Sequence, residues 1–139
     1  ESSFKLDFEE LLKKYSNFCQ YKGITSADKS VSVLKNYDCL LFPTYWRGEG
    51  FPGTIIDALC AGLPIIARNW NYCEEILTHL KTGLIYDFNN PEKLLECILY
   101  VREHPQQICD MKKFCVQEAK KYTADICIPF ILKKLQFLL

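Results

Sequence analysis

The sequence has no excess of charge of either sign, because 17 Lys and Arg side chains balance 17 Asp and Glu side chains. Without a net field to attract a polyanion, we expect no nucleic-acid partner. No apolar run reaches the roughly 18 residues that a membrane-spanning helix requires, and the first residues lack the order of a signal peptide. We expect a cytoplasmic protein, with peripheral contact at the inner face of the membrane as the alternative.

Clustered metal ligands are also missing. The two histidines, His79 and His104, lie far from any cysteine pair, and none of the eight cysteines forms a Cys-x-x-Cys motif. Because zinc sites need such residues at short spacing, we expect no metal. The cysteines fall mostly inside apolar periodic runs, which favours reduced thiols packed as small core side chains over a disulfide framework.

The apolar content of 49% is sufficient for one buried core. The length is that of an ordinary single domain, and neither a repeat nor a linker divides residues 1–139. The chain begins without Met and enters a structured pattern almost at once. We therefore expect one domain that is a fragment of a longer protein.

Strand patterns and helix patterns alternate along the sequence. Short apolar runs bounded by turn residues predict strands at 18–21, 38–42, 64–67 and 83–88. Apolar residues at helical spacing predict helices at 6–15, 26–37, 54–61, 72–79, 94–101, 105–122 and 125–139. The run 64–67, PIIA, is wholly apolar, as is typical of a parallel strand covered on both faces. The order predicts an α/β fold with a doubly wound parallel sheet and helices on both faces.

The loop 45–53, which follows the strand 38–42, is the first candidate site. Ligands of such sheets bind beyond the carboxyl ends of the strands, and the next helix presents unpaired amides at that edge. Gly50 and Gly53 leave these amides open to a phosphate, and Thr54 is the expected helix cap. Taken alone, a glycine-rich turn before a helix is equally compatible with a tight connection that binds nothing.

Two carboxylates strengthen the binding hypothesis. Glu49 lies in the loop and Asp57 lies about one turn into the helix, so both can face one crevice. Carboxylates accept hydrogen bonds from vicinal hydroxyls, which a ribose and a hexose present. Separately, each has an ordinary interpretation: Asp57 can complement the helix dipole, and Glu49 can be a solvated loop residue.

The segment 49–67, EGFPGTIIDALCAGLPIIA, resembles the donor-site signature of retaining glycosyltransferases of family 4, in which two glutamates are separated by seven residues. The resemblance extends from about residue 18 to the C-terminus through YKG, DCLLFPT, NYCEEI and GLIYDFNNPEKL. It implies the Rossmann-like C-terminal half of a GT-B enzyme of polysaccharide biosynthesis. Such an enzyme transfers a hexosyl group, with retention, from a nucleotide diphosphate sugar to a glycan or lipid-linked acceptor, and needs no cofactor.

The resemblance also implies roles for particular residues. Glu49 would act at the catalytic centre by binding hydroxyls of the transferred sugar, and Asp57 would hold the ribose hydroxyls. The acceptor domain would be an N-terminal part of the same longer chain, and the isolated chain would be inactive. The remaining positions would border the sugar and diphosphate (Gly50, Phe51, Pro52, Gly53 and Thr54) or the base (Gly23 and Ile24).

Two departures from this family pattern are evident. The second acid is Asp57 rather than Glu, one methylene shorter, and the upstream strand with the Arg and Lys that neutralise the diphosphate is absent. Arg47 and Arg68 border the crevice, but we interpret each as an ordinary surface arginine. Glu75 matches a commonly acidic family position, without an assigned role.

Several alternatives stay open. The longer protein could be a non-catalytic sensor or scaffold that binds nucleotide sugars. A second alternative, a phosphate-accepting receiver domain, is disfavoured because Asp38 begins its strand instead of ending it. The apolar final helix, which includes Phe137, Leu138 and Leu139, could dock on an absent domain, form a dimer or be fully buried. Trp46, Trp70 and Tyr72 flank the crevice and could stack on a ligand ring or pack beneath the loops.

Overall fold

The computed structural model describes residues 2–136, with side chains described for residues 6–135. Between residues 40 and 103 strands and helices alternate as the sequence predicts, whereas helices follow one another directly on either side of this range. A 3₁₀ turn, Lys120–Tyr122, separates the last two helices. The helices are α1 (Ser2–Lys14), α2 (Ala27–Leu34), α3 (Gly53–Ala61), α4 (Cys73–Ile76), α5 (Lys93–Glu103), α6 (Pro105–Ala119) and α7 (Ala124–Gln136), and the strands are β1 (Leu40–Phe42), β2 (Ile65–Arg68) and β3 (Gly83–Tyr86).

The three strands form one parallel sheet in the order β1-β2-β3. All four residues of the central strand β2 are buried, which explains its continuous apolar sequence. On one face, Ile65 and Ala67 belong to a core with residues of α3, α4 and α6. On the other face, Ile66 belongs to a second core with β3, α5 and α6. The predicted α/β architecture with a doubly wound parallel sheet is confirmed.

The strand predicted at 18–21 is wrong. These residues have no strand structure, and Phe18 is 88% exposed. Within residues 2–136 no strand pairs with these residues, and β1 pairs only with β2. A strand needs a neighbour that satisfies its backbone groups, so an apolar aromatic run alone is insufficient. Instead, the Tyr21 ring packs edge-on against Phe8 of α1 at 5.6 Å between ring centroids.

The helix predicted at 72–79 is shortened to α4. The Thr82 hydroxyl accepts a hydrogen bond from the Thr78 amide at 2.9 Å, and the Thr82 amide donates to the Thr78 carbonyl, also at 2.9 Å. These two bonds form a local turn that replaces the next helical turn. The turn leads directly into β3.

The predicted N-terminal cap of α3 is wrong, and its predicted C-terminal cap is confirmed. Pro52 occupies the N-cap position, and Thr54 is the second helical residue, so Thr54 does not cap the helix. Proline can hold this position because an N-cap needs no amide hydrogen. At the other end, Gly62 adopts the left-handed conformation with φ 69° and donates to the Ala58 and Leu59 carbonyls, as expected of a C-terminal cap.

The last helix, α7, keeps its apolar side chains in solvent over the described residues. Ile126, Phe130 and Leu135 are all exposed, so the buried-helix alternative is wrong for this part of the chain. Phe137, Leu138 and Leu139 lie outside the described residues. Within residues 2–136, every helix is too short or too polar to span a lipid bilayer.

The cysteines are all free thiols in the structure, and only Cys73 and Cys115 are fully buried. Over the same described range, no group of three or more His, Cys, Asp and Glu side chains is placed to hold a metal ion.

Candidate functional site

The candidate site lies where the chain leaves β1 at the carboxyl edge of the sheet. After Phe42 the backbone turns through Pro43 and Thr44 into the loop 45–52, which feeds directly into α3. Since all three strands are parallel, the segments that follow β1, β2 and β3 emerge at this same edge. The fold therefore places the predicted loop at the edge where doubly wound sheets bind their ligands.

Glu49 is held in the loop by Thr44, a residue to which the sequence reasoning gave no role. The Thr44 hydroxyl donates to Glu49 Oε2 at 3.3 Å and accepts from the Trp46 amide at 3.2 Å. The Glu49 amide donates to the Trp46 carbonyl at 3.2 Å. This small network orients a partly buried carboxylate. A hydroxyl residue at the strand end, five positions before Glu49, was the signal available in the sequence.

The buried side chain of Trp70 holds the same loop in place. Its side chain is 3% exposed, and its ring packs edge-on against Phe42 at 5.6 Å between centroids. Its indole Nε1 donates to the Gly50 carbonyl at 3.3 Å. Of the two interpretations of Trp70, packing beneath the loop is therefore the one the structure supports. Trp46 and Tyr72 remain exposed.

The N-terminus of α3 is open to a ligand. Ile55 donates to the Pro52 carbonyl at 3.0 Å, whereas the Gly53 and Thr54 amides have no backbone acceptor among the described residues. A methyl group built at Gly50 or at Gly53 would meet no atom within 4 Å. Amides without a backbone acceptor, in exposed residues at the positive end of the helix dipole, form an environment that favours an anion.

Asp57 follows Gly53 by four positions, so the two residues share one face of α3. The Asp57 side chain is partly buried, and it makes no hydrogen bond within the described part of the chain. The predicted residues from Glu49 to Asp57 therefore occupy one continuous stretch of chain, the end of the loop after β1 and the first half of α3. Along the sequence, Glu49 precedes the Gly53 and Thr54 amides and Asp57 follows them.

Gly23 and Ile24 lie in a different part of the chain. They belong to the irregular segment that precedes α2, Gly23 has φ 82°, and Ile24 is 96% exposed. The segment leads into α2, and α2 packs against α3. Contact of these two residues with a base stays a prediction.

A cleft of about 450 Å³ adjoins the loop on the side of α4. Phe51 and Tyr72 expose their rings there, and Phe51 packs against Tyr122 with 5.1 Å between ring centroids. Glu75 contributes a carboxylate. Aromatic faces beside a carboxylate offer a sugar both an apolar surface and a hydrogen-bond acceptor.

The interpretation of Arg68 as a surface arginine is wrong. Arg68 ends β2, is 5% exposed, and donates from Nε and Nη2 to the Phe88 carbonyl. Its guanidinium lies 3.9 Å from the Tyr45 ring centroid and 4.1 Å from that of Phe88. Arg47 is exposed, as expected, and donates to Asn89 Oδ1 at 3.3 Å. No sequence signal distinguished the two arginines, because burial of Arg68 depends on rings that follow other strands.

Comparisons with known proteins identify relatives among glycosyltransferases. An uncharacterised glycosyltransferase of Methanocaldococcus jannaschii, MJ1069, is 22% identical over 120 residues, which are 84% of this chain and 29% of that protein. The N,N'-diacetylbacillosaminyl-diphospho-undecaprenol alpha-1,3-N-acetylgalactosaminyltransferase of Campylobacter jejuni is 28% identical over 103 residues, 74% of this chain and 27% of the relative. The O-antigen biosynthesis glycosyltransferase WclY of Escherichia coli is 29% identical over 77 residues, 55% of this chain and 21% of WclY.

The chain thus spans less than a third of the length of these relatives. The family profile described as glycosyl transferases group 1, whose members have the Rossmann-like GT-B fold, matches residues 4–122. That range includes the sheet, the loop at its carboxyl edge and α3. The chain belongs to the glycosyl transferases group 1 family.

Proposed function

We propose that this chain binds the nucleotide diphosphate sugar in a retaining glycosyltransferase of the family 4 type, as its C-terminal domain. The observation that carries the proposal is the N-terminus of α3, where the Gly53 and Thr54 amides have no backbone acceptor within residues 2–136 and lie between Glu49 and Asp57 in sequence. An anion-binding helix end beside two carboxylates matches a ligand with both a diphosphate and two polyhydroxylated rings.

Each residue then has a defined task. The Gly53 and Thr54 amides bind the diphosphate, and Gly50, Phe51 and Pro52 border it and the sugar. Glu49 binds hydroxyls of the transferred hexose near the reacting carbon, and Asp57 binds the ribose hydroxyls. Gly23 and Ile24 border the base. No metal or other cofactor takes part, because the helix N-terminus stabilises charge on the departing diphosphate.

The acceptor is a glycan or a lipid-linked sugar, bound by an N-terminal domain of the longer protein to which this chain belongs. The name of the Campylobacter relative describes an acceptor of the diphospho-undecaprenol class, and that of WclY describes O-antigen biosynthesis. The exposed apolar side chains of α7 offer a surface for that domain. Transfer would take place on the cytoplasmic side, with peripheral membrane contact where the acceptor is lipid-linked.

The central test compares two acid variants of the longer protein in a nucleotide-sugar turnover assay. We expect Glu49→Gln to abolish turnover while nucleoside diphosphate binding is retained, because Glu49 contacts the sugar and not the nucleotide. We expect Asp57→Ala to weaken nucleotide binding by about tenfold or more, since it removes acceptors for two hydroxyls.

The matched control is Glu103→Gln, which neutralises an exposed carboxylate at the far end of α5 and should change neither property. Unchanged turnover in both acid variants would refute the site. A wild-type protein that binds nucleotide sugars without turning them over would instead be a non-catalytic sensor or scaffold.

Thr44 supplies a second test, because it positions Glu49 and is not itself a catalytic residue. Thr44→Val removes the hydroxyl that donates to Glu49 Oε2 at nearly constant volume, whereas Thr44→Ser retains it. We expect kcat to fall about tenfold in the valine variant with little change in nucleotide affinity, and to recover in the serine variant. Equal kcat in the two variants would exclude the positioning role.

A further inference from the structure

Among the described residues, the buried cation Arg68 has no counter-ion. Its side chain is 5% exposed, and its buried Nη1 has no hydrogen-bond partner in the described part of the chain. The ion pairs formed within residues 6–135 include neither Arg68 nor Arg47. Burial of an unneutralised charge is costly, and each unsatisfied buried polar atom adds to that cost.

Its neighbours compensate only part of this cost. The guanidinium lies over the rings of Tyr45 and Phe88, and the Phe88 carbonyl accepts from Nε and Nη2. Aromatic faces and a carbonyl attract a cation, yet none of them carries a negative charge. The remaining donor, Nη1, is suited to an oxyanion, which would supply both the missing acceptor and the missing charge.

The surroundings of Arg68 lie at the edge of the sheet that carries the candidate site. Tyr45 follows β1, Arg68 ends β2, and Phe88 follows β3, so three strand ends converge on one guanidinium. Arg47 comes from the same loop as Glu49 and places a second guanidinium 4.1 Å from the Phe88 ring centroid. Two cations thus flank one ring next to the loop that leads into α3.

We propose that Arg68, assisted by Arg47, binds phosphoryl oxygens of the sugar donor's diphosphate, with Nη1 of Arg68 as the principal hydrogen-bond donor. The inference rests on the proposed function, to which it adds the cations that neutralise the leaving group. The Tyr45 ring covers one face of the Arg68 guanidinium while itself being 71% exposed on a loop. Because Nη1 is buried, the proposal requires that a neighbouring side chain, such as this exposed ring, moves when the ligand binds.

Inorganic pyrophosphate is the direct probe, titrated calorimetrically into the 139-residue chain at low ionic strength. We expect Arg68→Gln to weaken pyrophosphate binding by about 10- to 100-fold, because it removes a charge-assisted donor and the buried charge. The pyrophosphate affinity of Arg68→Lys should lie between those of wild type and Arg68→Gln, since lysine keeps the charge but lacks the planar guanidinium. The matched control, Arg102→Gln, removes an exposed arginine on α5 and should bind as wild type.

Arg47→Gln covers the case in which the Arg68 variant fails to fold, as judged by circular dichroism. Arg47 is exposed, so its replacement should leave the fold intact and weaken pyrophosphate binding by about three- to tenfold. Wild-type affinity in both folded variants, or no pyrophosphate binding by the wild-type chain, would overturn the proposal.

A second set of titrations separates the donor's diphosphate from that of a lipid-linked acceptor. Nucleoside diphosphates should bind more tightly than either pyrophosphate or the matching monophosphate, and Arg68→Gln should abolish the preference over the monophosphate. A short-chain polyprenyl diphosphate that binds more tightly than every nucleoside diphosphate would assign the arginines to the acceptor instead and overturn our assignment.

These titrations also distinguish failure of this inference from failure of the proposed function. If Asp57→Ala weakens nucleoside diphosphate binding but Arg68→Gln does not, the proposed function stands and the arginine assignment is wrong. If Arg68→Gln weakens pyrophosphate binding but no nucleoside diphosphate binds more tightly than pyrophosphate, the arginines bind diphosphate and the proposed sugar-donor function is wrong.

Discussion

The first prediction concerns Gly53, the first residue of α3, and separates the requirements of the fold from those of a ligand. A methyl group at Gly53 would meet no atom within 4 Å, and its backbone is outside the left-handed region. Alanine loses less conformational entropy than glycine on entering a helix, by about 0.5–1 kcal/mol in a helix interior and less at the first position. We therefore expect Gly53→Ala to leave stability unchanged or to raise it by up to about 1 kcal/mol.

The effect on binding should have the opposite sign. The methyl group would occupy open space beside the Gly53 amide, close to where we place the diphosphate. A close approach of phosphate to backbone leaves no room for a side chain, so we expect nucleoside diphosphate affinity to fall by about tenfold or more. For a chain of this size, a gain of 1 kcal/mol corresponds to a rise of about 2–6 °C in Tm.

The assay is thermal unfolding with and without nucleoside diphosphate, followed by calorimetric titration of the same samples. Wild-type protein should gain thermal stability with ligand, because ligand bound to the native state shifts the unfolding equilibrium. Gly53→Ala should have the equal or higher Tm without ligand and a smaller ligand-induced shift. A variant that keeps the full ligand-induced shift would refute the placement of the diphosphate at the N-terminus of α3.

Two further predictions concern stability and thiol chemistry. Gly83→Ala should destabilise the chain by about 3 kcal/mol or more in denaturant titration, because the added Cβ would lie 1.9 Å from the Ile65 carbonyl oxygen in the adjacent strand; wild-type stability would contradict this register. Burial raises the pKa of Cys73 and of Cys115 to about 12 from 9.0, so a thiol reagent at pH 8 should modify the exposed Cys60 and leave these two unmodified until unfolding. Because their folded pKa values are raised, the stability that they contribute is present below about pH 9 and is lost as pH rises towards 12, which unfolding measured across that range checks.

Local patterns were sufficient to predict the part of the fold that carries the candidate site. Continuous apolar sequence predicted β2 because a central parallel strand is buried on both faces, and α3 was predicted within one residue. The positive φ of Gly62 followed from its position after the last helical residue. These features depend on residues that are close in sequence, so the sequence contains most of the information that fixes them.

Features that depend on distant residues were not predictable in the same way. The run 18–21 has the composition of a strand, but strand formation requires a paired neighbour, and composition does not show whether one is present. Burial of Arg68 requires rings from two other loops, so its sequence neighbours contain no sign of it. The role of Thr44 likewise depends on how the loop folds back to bring Glu49 within hydrogen-bond distance.

The two long side chains at the end of β2 connect these observations. Trp70 follows β2 and holds the Gly50 carbonyl in the loop after β1, whereas Arg68 ends β2 and holds the Phe88 carbonyl after β3. The central strand therefore fixes both neighbouring loops. Trp70 holds its loop by packing and by a hydrogen bond from its indole N–H, which is sufficient for a purely structural role. Arg68 uses a buried charge, and one of its nitrogens has no partner among the residues that the structure describes. A purely structural contact does not need that charge. This difference between the two side chains supports a ligand-binding role for Arg68 and a structural role for Trp70.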